Sequence, residues 1–287
     1  MADRASATSE AVLRPNLRWW WIPSWFGLDS PFVVATWTWA VSQVLEQRLR
    51  WEVYAAQFLA CWSVYLADRL IDVARCRDWS CVNGRLEFGR RFQPLLMVLL
   101  ALNGVLLAGL LILGAVSETA IRGLWVAIGV LGYGLIFVIP VFFREKLPGK
   151  EVGIGLFSAL GIWAALGNQA GLWPLLTGIA LVVMLNCFVI AARDREIDRA
   201  NDPGGASRWW KQMHHQLPIF GMIGVLGSAV MIVLGHDSRF YLSLGLAFAS
   251  LVILHRLANR VSPDSVRAIA DWCLLTPWLV ALLLPSG

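Results

Sequence analysis

The chain has 287 residues, of which 58% are hydrophobic and only 15% are charged, and its mean hydropathy is +0.63. A soluble domain usually carries about 25% charged residues, so this composition excludes an ordinary water-soluble protein. The formal net charge of +5 does not indicate a nucleic-acid partner. The basic residues lie in short loops between apolar runs, which is their usual place in membrane proteins.

Residues 1–30 are predicted to form a cytoplasmic N-terminal tail and an interfacial segment, because residues 1–16 are polar and lack the apolar core of a signal peptide. The tryptophan runs at 19–21 and 209–210 are predicted to anchor the protein at the membrane surface. Residues 31–287 contain no linker long enough to separate two domains, so we predict a single transmembrane domain. The five cysteines lack the paired spacing and neighbouring histidines of a disulfide framework or a zinc site.

Nine apolar segments are candidates for transmembrane helices, because a span needs roughly 20 mostly apolar residues. In chain order they are 31–47, 51–68, 92–114, 119–143, 152–171, 174–192, 218–235, 239–257 and 265–285. If the N-terminus is inside, 20 of the 24 lysines and arginines fall on the inner side. This asymmetry predicts an all-α, polytopic membrane protein with nine transmembrane helices.

Two short acidic segments share the pattern Asp-Arg-x-x-Asp, and each follows an even-numbered span at the inner face. The first contains Asp68, Arg69 and Asp72, and the second contains Asp194 and Asp198. Carboxylates four residues apart lie on one face of a helix and repel each other when they are unpaired. A divalent cation removes this repulsion, and Mg²⁺ binds one or two carboxylates together with phosphate oxygens. The alternative is that these residues are solvated loop charges.

The two segments resemble the aspartate-rich motifs of the UbiA superfamily of intramembrane prenyltransferases, and the resemblance covers nearly the whole chain. The family has nine transmembrane helices, with one motif after the second helix and another after the sixth. Its first motif is commonly NDxxDxxxD, of which Asp68 and Asp72 match the second half. Val64 and Tyr65 stand in the places of the family's Asn and Asp, and Cys187 stands where several members have another polar ligand.

The resemblance implies a UbiA-like helical bundle and a Mg²⁺-dependent enzyme. Such an enzyme would transfer a prenyl group from a prenyl diphosphate to a hydrophobic or aromatic acceptor within the membrane. The implied catalytic and metal-binding residues are Asp68, Asp72, Asp194 and Asp198. The residues implied to bind the diphosphate are Arg69, Arg75, and Arg144 or Lys146 between spans four and five, with Asp202 assisting beside the second motif.

Two residues deeper in the spans are further candidates for substrate binding. Tyr65 lies one turn before Asp68, where its ring can stabilise an allylic cation by about 0.5–2 kcal/mol or can anchor the helix at the interface. Asn186 lies two turns inside the second motif, where it can line a substrate cavity or bond to a neighbouring helix. Arg267 and Asp271 are four residues apart and can form an intrahelical ion pair.

Two other functions are open at this point. The same fold can ionise and cyclise a prenyl diphosphate without an acceptor, as a terpene cyclase does. The second alternative is a transporter or a non-catalytic membrane protein, although the span centres lack the charges that an ion-coupled transporter needs. In each case we expect a multi-pass protein in a lipid bilayer, that of a bacterial inner membrane, without a nucleic-acid partner.

Overall fold

The computed structural model describes residues 19–112, 117–138, 150–201, 210 and 212–284. Every regular element in these ranges is helical, so the prediction of an all-α protein is confirmed for them. Short 3-10 turns occupy Trp19–Trp21 and Ala258–Arg260. The α-helices are α1 (Ile22–Phe26), α2 (Asp29–Val44), α3 (Trp51–Arg75), α4 (Gly84–Arg91), α5 (Gln93–Ile112), α6 (Ser117–Val138), α7 (Lys150–Leu166), α8 (Leu172–Arg193), α9 (Arg195–Asn201), α10 (Met213–Val233), α11 (Ser238–Leu257), α12 (Pro263–Cys273) and α13 (Thr276–Leu283).

Each of the nine apolar segments coincides with one helix, except that the last coincides with α12 and α13, which are bent by 48° at the break between them. Among the described residues, α5, α8, α10 and α11 are each long and apolar enough to cross a membrane, and the bent pair is a fifth candidate. The helices α2 and α7 have 16 and 17 residues, which is shorter than the roughly 20 that a full span needs. The helices therefore indicate a membrane protein with four or five candidate spans, and nine spans stay a prediction.

Helix α8 is the centre of the bundle and packs against α2, α7, α10, α11 and α12. Within its apolar window 67% of the residues are buried, compared with 11% for α5 and 17% for α10. Leu172, Val182 and Val189 of α8 are completely buried, as are Trp37 of α2 and Leu251 of α11. A helix that is apolar on all sides and buried over most of its surface is typical of a protein core.

The peripheral helices expose apolar side chains on their outer faces. Val98, Leu102 and Val105 of α5 are at least half exposed, and so are Ile223 and Val230 of α10. A soluble protein rarely exposes a continuous apolar face of this kind, whereas lipid tails cover such a face without cost. These outer faces fit contact with a bilayer.

A glutamine holds three of the helices together through polar contacts. The side-chain oxygen of Gln57 in α3 accepts a hydrogen bond from Thr38 Oγ1 of α2 at 2.9 Å. Its side-chain nitrogen donates to the backbone oxygen of Gly161 in α7 at 3.2 Å. Hydrogen bonds between membrane helices contribute about 0.6–2 kcal/mol each, so Gln57 helps to fix α2 and α7 on either side of α3.

The segment before α2 packs on the inner end of the bundle. Trp21 and Trp25 are 7% and 4% exposed, and Trp21 Nε1 donates a hydrogen bond to Ser265 Oγ in α12 at 3.2 Å. The Trp25 ring lies 5.4 Å from the Phe88 ring of α4. Part of the tryptophan run that was expected to anchor the membrane surface is therefore buried in protein contacts instead.

Close contact between α7 and α8 depends on Gly155, which gives the first testable prediction. A Cβ at this position would lie 2.3 Å from Met184 Cγ and 2.7 Å from the backbone oxygen of Ala180. Because the backbone oxygen cannot move aside, Gly155→Ala is expected to lower the free energy of unfolding by about 1–3 kcal/mol. Thermal unfolding in detergent measures the effect.

Gly161→Ala on the same helix is the matched control, since nothing lies within 4 Å of its added Cβ. The control gains helix propensity, by up to about 1 kcal/mol, and is expected to match or exceed the wild-type melting temperature. Equal melting temperatures for the two variants would contradict the close packing at Gly155.

Candidate functional site

The start of helix α4 lies beside both acidic segments. Asn83 caps this helix, with its Oδ1 accepting from Leu86 N at 3.0 Å, while its Nδ2 lies 3.5 Å from Asp194 Oδ2. Two positions later, Arg85 Nη2 donates to Asp72 Oδ2 at 2.8 Å. The carboxylates of Asp72 and Asp194 thus meet adjacent parts of one short helix, and the structure brings the two acidic segments together.

Arginine side chains neutralise these carboxylates. Asp194 is 4% exposed and pairs with Arg267 Nη2, and the half-buried Asp72 pairs with Arg85. A buried charge of this kind is tolerated only when a partner compensates it. The intrahelical pair predicted between Arg267 and Asp271 is replaced by these longer-range contacts, because Arg267 bonds Asp194 and Asp271 accepts from another helix.

Arg69 occupies the centre of this region. It is 3% exposed, and its Nη1 donates to the backbone oxygen of Trp25 at 3.0 Å. Arg69 also interacts electrostatically with Arg85, Arg267, Asp72 and Asp68. We call these charged residues the inner-face cluster, which consists of Asp68, Arg69, Asp72, Arg85, Asp194 and Arg267.

The inner-face cluster and its surroundings contain more buried donors than acceptors. The Nε atoms of Arg69, Arg193 and Arg195 are buried and have no hydrogen-bond acceptor. Buried polar groups are nearly always paired in native proteins, so each unpaired donor calls for an explanation. Arg85 and Arg267 lie near Arg69, and guanidinium groups are suited to binding a multiply charged anion such as a phosphate ester.

Asn201, at the end of α9, joins the second acidic segment to the loop that follows the first. Its Oδ1 accepts from the backbone N–H groups of Arg77 at 3.0 Å and Asp78 at 2.9 Å. Its Nδ2 donates to the backbone oxygen of Cys81 at 2.8 Å. Neither motif pattern indicated this contact, which fixes the loop after α3 against α9.

Several predicted site residues lie near the ends of the described ranges or outside them. Arg75 is half-buried at the end of α3, and Asp198 lies in α9 with its side chain outside the described part. Arg144, Lys146 and Asp202 lie outside the described residues. Within the described side chains, no three His, Cys, Asp or Glu residues come close enough to hold a metal ion. The Mg²⁺ site therefore stays a prediction.

A second polar region lies deeper in the bundle, among α2, α3, α7, α8 and α12. A cavity of about 20 Å³ is lined there by Ser30, Val33, Val34, Tyr65, Ser158, Val183, Asn186, Cys187, Asp271 and Leu274. This volume is enough for about one water molecule. The cavity brings together Tyr65, which precedes the first acidic segment in the sequence, and Asn186, which precedes the second.

Two acidic residues of this deeper region were missed as site residues. Asn186 Nδ2 donates to Asp271 Oδ1 at 2.9 Å, and Asp29 is close enough to Asp271 to interact with it electrostatically. Asn186 Oδ1 and Asp29 Oδ2 are buried without a donor. An acidic residue inside a predicted span was the available signal for Asp271, because charges in a membrane interior are costly and often functional.

No protein-family model, curated protein or solved structure matches this chain. The function is therefore inferred from the chemistry of the inner-face cluster and of the cavity beneath it.

The Asn201 contact generates the second testable prediction. Asn201→Ala removes the acceptor for the amide hydrogens of Arg77 and Asp78, so hydrogen exchange at these two amides is expected to accelerate. A loss of ~0.5–1.5 kcal/mol per hydrogen bond corresponds to a roughly 2- to 12-fold faster exchange. Mass spectrometry of peptides that cover residues 76–83 measures the rate.

Asn168→Ala is the control, because Asn168 accepts a hydrogen bond from the Trp163 indole in the α7–α8 connection, far along the chain from this loop. Exchange at Ser80, whose amide donates to Asp78 Oδ1 within the loop, supplies an internal reference. Unchanged exchange at Arg77 and Asp78 in Asn201→Ala would show that Asn201 does not hold the loop.

Proposed function

We propose that this protein is an intramembrane, Mg²⁺-dependent prenyltransferase that resembles the UbiA superfamily. One observation carries the proposal: Asp72 and Asp194, from the two acidic segments, meet side chains two positions apart at the start of α4. If Asp72 and Asp194 were only solvated loop charges, nothing would favour their meeting at one helix, because the two acidic segments are far apart in the sequence. Two acidic helix ends must lie close together if they are to bind a diphosphate through a metal ion.

The residue types of the two acidic segments are suited to a metal-bound diphosphate. The proposed metal ligands are Asp68, Asp72, Asp194 and Asp198, which offer the carboxylate oxygens that Mg²⁺ prefers. The unpaired Nε atoms of Arg69, Arg193 and Arg195 supply donors that phosphate oxygens can satisfy. Arg75, Arg144, Lys146 and Asp202 are proposed to complete the diphosphate site. The metal ion, when bound, would neutralise the charge that develops on the leaving diphosphate.

In this proposal the arginines of the inner-face cluster exchange partners. Arg85 and Arg267, which neutralise Asp72 and Asp194 here, turn to the diphosphate when the carboxylates bind metal. After this exchange the guanidinium groups would stabilise the departing diphosphate, which is the main electrostatic task of the reaction. Arg69 is held in place for this by its bond to the Trp25 carbonyl.

The allylic end of the substrate would point into the bundle, toward Tyr65 and Asn186. Tyr65 lies three residues, about 4.5 Å along the helix, on the membrane side of Asp68. Its ring is placed to stabilise an allylic cation. The described cavity of about 20 Å³ cannot hold a prenyl chain, so the proposal requires the surrounding helices to separate when substrate binds.

The third testable prediction concerns the two acidic segments. Asp72→Asn and Asp194→Asn are each expected to lower the rate of diphosphate release by about 10²- to 10³-fold, because a neutral amide cannot replace the charge that binds the metal. The assay uses purified protein in lipid nanodiscs with C10, C15 and C20 prenyl diphosphates, with and without an aromatic acceptor, and with Mg²⁺ or EDTA.

Asp237→Asn is the matched control. Asp237 caps α11 through a bond from Phe240 N at 2.7 Å, and asparagine can make the same cap, so activity is expected to be retained. A terpene released without an acceptor would favour the cyclase alternative in the same site. Absence of turnover with every donor would favour a non-catalytic membrane protein. Full activity in both cluster variants would show that the reaction does not use Asp72 and Asp194.

A further inference from the structure

Asn186 is held in one orientation by a hydrogen bond inside the bundle. Its Nδ2 donates to Asp271 Oδ1 at 2.9 Å, which joins α8 to α12. The two side chains are 4% and 8% exposed. Because the amide presents its hydrogens to the carboxyl oxygen, its own oxygen faces other neighbours. Asp271 therefore determines which end of the Asn186 amide can bind a further partner.

The available end of Asn186 is an acceptor that needs a donor. Its Oδ1 is buried and accepts no hydrogen bond from the described residues. Buried acceptors are nearly always paired in native proteins. Since Asn186 lines a polar cavity, its unpaired oxygen indicates that a molecule with a hydrogen-bond donor belongs in that cavity.

The cavity beside Asn186 limits the size and the charge of the group that it can take. Its volume of about 20 Å³ admits one water molecule or the hydroxyl end of a larger molecule. Its polar lining includes Ser30, Tyr65, Ser158 and Asp271, and none of the described lining residues is Lys, Arg or His. A carboxylate or phosphate would be buried there without a compensating cation, which is costly. The cavity therefore favours a neutral donor.

The cavity lies on the membrane side of the inner-face cluster, where the proposed reaction joins its two substrates. Asn186 lies eight residues before Asp194, about 12 Å along the helix. Tyr65, whose ring is proposed to face the allylic cation, lines the same cavity. A molecule whose hydroxyl is bound at Asn186 is therefore held beside Tyr65 and away from the arginines.

We infer that Asn186, oriented by Asp271, binds the hydroxyl group of the prenyl acceptor and selects an acceptor with a neutral hydroxyl. This inference rests on the proposed function and names the group by which its acceptor is recognised. Asn186 contacts the acceptor, whereas Asp271 is a positioning residue that acts through Asn186. Ser158 lines the cavity and can donate to the same hydroxyl oxygen. The helix separation that admits the prenyl chain also admits the body of the acceptor.

The fourth testable prediction compares 1-naphthol with 1-methylnaphthalene, which have nearly the same shape, although only the naphthol donates a hydrogen bond. The wild type is expected to bind 1-naphthol about 10- to 100-fold more tightly, because the methyl group leaves Asn186 Oδ1 unpaired. Asn186→Leu is expected to bind the two ligands about equally and to keep or improve its affinity for 1-methylnaphthalene. Binding of the tritiated ligands to purified protein in nanodiscs, corrected for partition into empty nanodiscs, measures this without a prenyl donor.

Variants of Asp271 test its positioning role. Asp271→Asn keeps an acceptor oxygen for Asn186 Nδ2 and is expected to keep most of the preference for 1-naphthol, whereas Asp271→Leu is expected to lose it. Damage to packing alone would weaken both ligands alike and leave their ratio unchanged. Asn168→Leu is the matched control, because Asn168 bonds the Trp163 indole in the α7–α8 connection and does not line the cavity.

A second variant and a second measurement keep the test decisive. If Asn186→Leu does not fold because Asp271 loses its donor, Asn186→Leu combined with Asp271→Leu replaces it, since removing both partners of a buried hydrogen bond can be nearly neutral. In turnover with farnesyl diphosphate and Mg²⁺, Asn186→Leu is expected to raise the KM for 1-naphthol about 10- to 100-fold and to change kcat less. Asp72→Asn is expected to lower kcat instead.

The outcomes separate the inference from the proposed function. A wild type that binds both ligands equally, or an Asn186→Leu variant that keeps the preference for 1-naphthol, would overturn the hydroxyl site and leave the prenyltransferase standing. Loss of the preference in Asp271→Asn and Asp271→Leu alike would overturn the positioning role of the Asp271 acceptor oxygen. A preference that depends on Asn186, in a protein that releases diphosphate from no donor, would overturn the proposed function and the identity of the ligand as an acceptor.

Discussion

Burial of charge at one end of an apolar bundle is the constraint on which the rest of the structure depends. Asp194 and Arg69 are each almost fully buried, and neither can stay charged there without compensation. The compensation comes from distant parts of the chain, since Arg267 pairs with Asp194 and the carbonyl of Trp25 accepts from Arg69. The N-terminal segment, α4 and α12 therefore have to close over the ends of α3 and α8 in one arrangement.

Helix α8 connects this charged end to the deeper polar cavity. Its C-terminal end leads into Asp194, and two turns earlier Asn186 bonds Asp271. The same helix is otherwise packed in apolar contacts on nearly all sides, so it cannot shift without disturbing both polar regions. In this structure α8 thus sets the distance between the inner-face cluster and the polar cavity.

Much of the fold could be predicted from the sequence because a long apolar segment can be recognised from its own composition, without knowledge of its partners. All nine predicted segments coincide with helices, and the paired motifs indicated that Asp72 and Asp194 belong together. The partners of those residues could not be predicted. Arg85 resembles any loop arginine, Arg267 was matched with Asp271 on its own helix, and Asn201 carries no motif, because such contacts depend on tertiary packing rather than on periodicity. Asp29 was assigned to the tail for the same reason, although it begins α2.

The break between α12 and α13 divides the last apolar segment into two halves with different composition. The inner half carries Asp264, Arg267 and Asp271, while the outer half, Thr276–Leu283, has no charged residue. The two halves meet at an angle of 48°. A change in bilayer thickness can therefore be taken up by tilting the outer half alone. We expect the protein to tolerate membranes of different lipid chain length while its polar residues keep their depth.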